Sequence, residues 1–106
     1  MARPSPLEAV ALADFRRRVD ALLPGRDVEM IVFGSRARGE GRADSDLDVC
    51  VAFDEPTRDE RRAIIDVSAD VSMDHGVVLS PLVVSRERLT TGRGVLADVR
   101  REGIAL

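Results

Sequence analysis

The stretch VFGSRARGEGRADSDLDVCVAF, Val32 to Phe53, decides the fold. It opens at the end of an apolar, β-branched run, Val28 to Phe33, which reads as a short strand. Asp46 to Phe53 reads as a second strand. Leu47, Val49, Val51 and Phe53 alternate onto one face, and Asp46, Asp48 and Cys50 fall on the other. Residues two apart on a strand leave the same face about 7 Å apart at the backbone. Asp46 and Asp48 therefore bring two carboxylates side by side. Like charges so close are costly unless a cation or a set of donors balances them. Two hard oxygen ligands on one face suit Mg²⁺ or Mn²⁺, and a magnesium site of this kind usually holds substrate phosphates too.

Gly34 and Ser35 supply the other half of that chemistry. They follow a strand and precede a possible helical turn, Ser35 to Arg38. The start of a helix offers free backbone N–H groups to an anion, glycine lets a phosphate approach the backbone, and the serine hydroxyl adds a donor. Gly39 and Gly41 let the chain turn back toward the aspartates, or are ordinary turn residues. Arg36, Arg38 and Arg42 either contact phosphates or form a solvated basic loop; Arg36 is placed with the phosphate seat. A phosphate seat beside a carboxylate metal site is what metal-assisted nucleotidyl transfer requires. A calcium loop starting at Asp44 fails, because it needs glycine where Val49 stands. Asp44 itself is read as a loop residue.

Outward from this stretch, Ser5-Pro6-Leu7-Glu8 reads as a capping box opening a helix. Leu7, Val10, Ala11, Phe15, Val19, Leu22 and Leu23 recur along it at helical spacing, and Pro24-Gly25 ends it. Thr57 with Glu60 is a second capping box. It opens a helix with Ile64, Ile65, Ser68 and Val71 on one side, stopping at Gly76. Val77 to Val84 reads as a third strand, and Pro81 within it marks an edge position or a bulge. One or two short helices follow Ser85, with a loop over 90–94 and a stop at Gly103. His75 reads as a cap favoured by the helix dipole, Cys50 as a small core residue, Asp66, Asp70 and Asp74 as an exposed acidic stripe, and Arg16 to Arg18 as a wet helix face.

The chain of 106 residues is expected to form one domain, residues 1–106, of α/β (α+β) class: a short mixed sheet with helices packed against it. A single cysteine excludes a disulfide framework and a multi-cysteine zinc site, and fits a cytoplasmic setting. No apolar run approaches a membrane span, so no membrane partner is expected. A net charge of −3 argues against broad nucleic-acid binding. All 16 Lys and Arg positions are arginine, which excludes a lysine-based mechanism such as a P-loop.

GSRARGEGRADSDLD resembles the signature of the polymerase-beta-like nucleotidyltransferase superfamily: Gly-Ser, ten residues, Asp-x-Asp. The chain is most similar to the minimal nucleotidyltransferases, including antitoxins of HEPN/MNT toxin–antitoxin pairs; SPLVV and RREGIAL also look like a subgroup of these proteins. The resemblance implies that Asp46 and Asp48 bind two divalent ions and are catalytic. It implies that Gly34 and Ser35 seat the outer phosphates of a nucleoside triphosphate. It further implies a third carboxylate on the strand after the intervening helix, where this chain has no acid; the matching position lies near Ser80. The function so implied is transfer of AMP from ATP to a hydroxyl, a tyrosine on a helical HEPN-type toxin, with the chain as antitoxin. Its small size leaves little room for an acceptor domain. Two alternatives stand beside this: a binding module that neutralises its partner by covering it, and a nucleotidyltransferase acting on a small molecule.

Overall fold

The computed structural model describes residues 4–34 and 46–106. In chain order the elements are α1 (Pro6–Leu22), β1 (Glu29–Phe33), β2 (Leu47–Phe53), α2 (Arg58–His75), β3 (Leu79–Ser85), α3 (Arg86–Thr91), α4 (Val95–Glu102) and β4 (Ile104–Ala105). Both capping boxes form as the sequence predicts. Ser5 Oγ accepts from Glu8 N at 3.2 Å while Ser5 N donates to Glu8 Oε1 at 2.8 Å. Thr57 and Glu60 repeat the exchange at 3.1 and 2.9 Å. Each pair satisfies two N–H groups that a helix start otherwise leaves without partners.

The sheet runs β3-β2-β1-β4. β1 pairs antiparallel with β2 and with β4, and β2 pairs parallel with β3, so the sheet is mixed. β3 is an edge strand, which accommodates Pro81 and its missing N–H. The strand starts two residues later than the sequence suggests and ends at Ser85. Ser85 also caps α3, its Oγ accepting from Arg88 N at 3.1 Å. Thr90 and Thr91, expected in a loop, finish α3 instead. Their hydroxyls donate back to the carbonyls of Arg86 and Glu87, the i−4 bond open to a threonine within a helix.

Both sheet faces are covered, by different helices. α1 and α2 pack on the face carrying Leu47, Val49, Val51 and Phe53, α1 through Ala11, Leu12, Phe15 and Val19 and α2 through Ile64 and Val71. The opposite face carries Ile31, Phe33, Cys50, Ala52 and Val84, and is covered by Leu89, Leu96 and Val99 of α3 and α4. The helical stripes are narrower than periodicity alone suggests: Leu7, Val10, Leu22 and Ile65 are exposed. The buried set of α1 is Glu8, Ala11, Leu12, Phe15 and Val19.

Polar contacts join α1 to α2 at the surface. Asp14 accepts from Arg17, Arg18 and the His75 ring, the last at 2.8 Å, and Arg18 also reaches Asp74 at 2.7 Å. The hydrogen bond from Arg18, followed by that from His75, holds the Asp14 carboxyl well below the usual carboxylate range. His75 thus stands in the last turn of its helix, as predicted, and adds a bridge to α1. Phe53 closes the first core layer, fully buried, with the Arg26 guanidinium 5.0 Å above its ring. Phe53→Ala is expected to destabilise the fold by about 3–5 kcal/mol, read as a shift in the urea midpoint.

Candidate active site

The register across the second face sets three rows of side chains. Glu29, Ala52 and Val84 form one; Ile31, Cys50 and Leu82 form the next; Phe33, Asp48 and Ser80 form the third. α3 and α4 cover Ala52 and Val84 of the first row, Ile31, Cys50 and Leu82 of the second, and Phe33 of the third. The third row emerges at the end of this cover. Asp48 and Ser80 are half-buried, and Asp46, one step further out, is exposed. The alternation read from the sequence is therefore realised: the odd-numbered residues of β2 enter the first core cluster, and the aspartates lie on the other side at the start of β2.

Two links fix this end. Leu47 N donates to Val78 O at 2.8 Å, which starts the β2–β3 pairing beside Asp46 and Asp48. Ser72 Oγ, on α2, accepts from Leu79 N at 2.9 Å and donates to Ser68 O at 2.7 Å. The start of β3, and with it Ser80, is thereby tied to the helix.

Gly34 closes the site from β1. Its φ is +79°, and a Cβ built there would stand 2.4 Å from Asp48 Oδ2. Glycine is needed twice over at this point, for the left-handed backbone and for the approach of the carboxylate. Ser35, Arg36, Arg38, Gly39, Gly41, Arg42 and Asp44 lie outside the described residues.

Burial raises the Asp48 carboxyl above its ordinary value, and the negative charge of Asp46 raises it further. Among the described residues no cationic side chain pairs with either aspartate. Two adjacent hard oxygen donors, one of them disfavoured as an anion, are what a divalent cation would relieve, so the donor set fits Mg²⁺ or Mn²⁺. No group of three or more acidic, histidine or cysteine ligands gathers among the described residues. Cys50 is fully buried and its thiol is pushed up to about 11, first by burial and then by Glu29. It is a core residue, as its sequence position suggests.

Phe33 was not singled out in the sequence, yet it is the direct β1 neighbour of Asp48 and is buried beside it. Alternation in β1 carries that signal only once the β1–β2 register is known. A cavity of about 440 Å³ lies elsewhere, between α1 and β4, lined by Pro4, Leu12, Ile104 and Leu106 among others. The carboxylates sit outside it, at the start of the interior strand β2.

Residues 12–93 match the family model of the nucleotidyltransferase domain. A protein of Methanocaldococcus jannaschii named "Putative protein adenylyltransferase MJ0141" is 29% identical over 76 residues, 71% of this chain and 77% of that protein. A solved structure described as a "putative minimal nucleotidyltransferase" is 33% identical, with a TM-score of 0.55, covering 96% of this chain and 97% of that one. A crystal structure of a toxin–antitoxin with AMP-PNP aligns with a TM-score of 0.61 at 16% identity, over 91% of this chain and 69% of that one, and shows likeness of fold. β1, β2 and the residues Gly34, Asp46 and Asp48 fall within the matched span, and the chain belongs to the nucleotidyltransferase domain family.

Proposed function

We propose that this chain transfers AMP from ATP to a tyrosine hydroxyl on a helical partner protein of the HEPN type, and so acts as an antitoxin. The observation that carries the reading is the approach of Asp48 to Gly34 at the start of β2, beside Asp46. Asp46 and Asp48 would hold the divalent ion; Gly34, with Ser35 and Arg36 next in the sequence, would seat the outer phosphates. When bound, the ion draws charge from the phosphates and favours ionisation of the attacking hydroxyl. The hydroxyl oxygen attacks the α-phosphorus while its proton passes to water, the bond from that phosphorus to the oxygen bridging to the β-phosphate breaks, and pyrophosphate leaves.

The acceptor lies on another molecule for two reasons. The 106 residues contain no tyrosine. Asp46 is also exposed and Asp48 only half-buried, so water competes there, and a docked protein would supply both the hydroxyl and the walls that exclude solvent. The name of the M. jannaschii relative, a protein adenylyltransferase, and the fold shared with a toxin–antitoxin support this reading.

One observation favours a second reading, in which the chain neutralises its partner by covering it. Ser80, directly across from Asp48, carries no carboxylate to accept a proton. The test is mass spectrometry of the partner co-expressed with the wild type and with Asp46→Asn. Transfer predicts one or more AMP additions of about 329 Da on a partner tyrosine, from the mass of the group transferred, absent in Asp46→Asn, with neutralisation lost alongside. A neutralised partner that carries no nucleotide, and is still neutralised by Asp46→Asn, selects the covering reading.

A further inference from the structure

The sheet ends on β4, and one side of that strand's backbone is free. Leu106 N donates to Met30 O at 2.9 Å, so the backbone groups of Ile104 and Leu106 turn toward β1. Those of Ala105 turn the other way, out of the sheet, and have no partner among the described residues. An outward donor and acceptor on an edge strand form a template for another strand. Ile104 aligns with Val32 and Leu106 with Met30, whose side chains enter the first core cluster, so both lie on the α1 side. There they line the cavity of about 440 Å³ together with Leu12, Ala9 and Ala13. Arg16, the charged residue of that lining, is bonded to Asp20 at 3.2 Å. The walls Ala9 and Ala13 are exposed, and Leu106 is 47% exposed at the margin.

We propose that β4 pairs antiparallel with β4 of a second copy of this chain, about a two-fold axis at Ala105. The strand is complementary to itself. Ala105 opposite its own copy exchanges both N–H···O bonds, one donor meeting one acceptor in each direction. The same register sets Ile104 of each copy beside the partner's Leu106 on the α1 face, at the closer spacing of a non-hydrogen-bonded pair. Each groove thus receives the apolar side chain that the edge leaves exposed. The axis stands perpendicular to the sheet, so both α1 helices lie on one side of it. Ala9 and Ala13, one turn apart on the wall that faces the seam, let the two helices approach. β1 separates the seam from β2, so Asp46 and Asp48 of both copies stay clear of it.

Sedimentation velocity of the full chain across the micromolar range is expected to show a concentration-dependent dimer. Ala105→Pro removes the outward N–H and spares the bonds to β1, so it should weaken the dimer about tenfold or more with the circular dichroism unchanged. Ala13→Arg, at an exposed helix position, serves as a second variant if Ala105→Pro does not fold; it sets a charge in the seam and should weaken the dimer likewise. Ala105→Cys reads the register. The two-fold puts that residue opposite its copy with Cα atoms about 5.5 Å apart, within disulfide range. Diamide should therefore link two Ala105→Cys chains, and should not link Arg101→Cys; the native Cys50 is buried and does not compete. A monomer at every concentration overturns the proposal and leaves the groove to another protein or to the chain ahead of Pro4. A dimer that every folded variant leaves intact, or Arg101→Cys linking as readily as Ala105→Cys, overturns it too.

Discussion

Asp46→Asn and Asp48→Asn should each reduce Mg²⁺-dependent nucleotide affinity by at least about 100-fold while leaving the fold intact. Substitutions of residues that only orient a metal ligand cost about 10–100-fold, so loss of a direct ligand belongs at or beyond the upper end. The fold survives because neither carboxylate holds the structure together. Asp46 is exposed, and Asp48 is disfavoured as an anion by burial and by Asp46. The sign of the pH effect follows. A carboxyl raised on folding binds its proton more tightly in the native state, so the metal-free protein loses stability as pH rises through that window and regains it on acidification. Asp48→Asn should remove this pH dependence and be no less stable than the wild type at neutral pH. Metal affinity should run the opposite way, weakening as pH falls because the proton competes for Asp48. Calorimetric titration of ATP–Mg²⁺ into wild type and both variants reads the affinity, and urea unfolding at two pH values reads the stability. Unchanged affinity in both variants would remove the metal site.

Much of this site is legible in the sequence because it depends on local rules. Alternation in β2 is a property of the pleat, so the common face of Asp46 and Asp48 follows once the segment is extended. The capping boxes at Ser5 and Thr57 are likewise complete within four residues. What escaped the sequence is decided at long range. β4 has two residues and no pattern of its own; it exists because Ile104 and Ala105 align with Val32 and Ile31, and Leu106 N reaches Met30 O at 2.9 Å. The exposure of Leu7, Val10 and Ile65 depends on where α1 and α2 meet, which periodicity does not give. Ser80 is the instructive case. SPLVV alone does not say what its serine faces; the resemblance puts the position matching a third carboxylate near Ser80, and the parallel β2–β3 register sets Ser80 directly across from Asp48.

Gly34→Ala and Gly25→Ala form a pair that separates backbone strain from loss of the site. Both glycines have left-handed backbone, with φ of +79° and +78°. An alanine in that region costs about 1–2 kcal/mol at either position. Their surroundings differ completely. A Cβ at Gly25 meets nothing within 4 Å, whereas at Gly34 it stands 2.4 Å from Asp48 Oδ2. The obstructing atom is the end of a short side chain that can rotate away, so the clash need not unfold the protein. It moves the carboxylate instead. A displacement of about 1 Å at a reacting centre can cost about 100-fold in rate, and a misplaced ligand has no cheaper route to its ion. The expected outcome is a similar drop in melting temperature for both variants, with ATP–Mn²⁺ affinity retained in Gly25→Ala and reduced by roughly 10–100-fold in Gly34→Ala. Equal affinity in the two variants, at equal stability, would show that the approach of Asp48 to Gly34 has no part in binding.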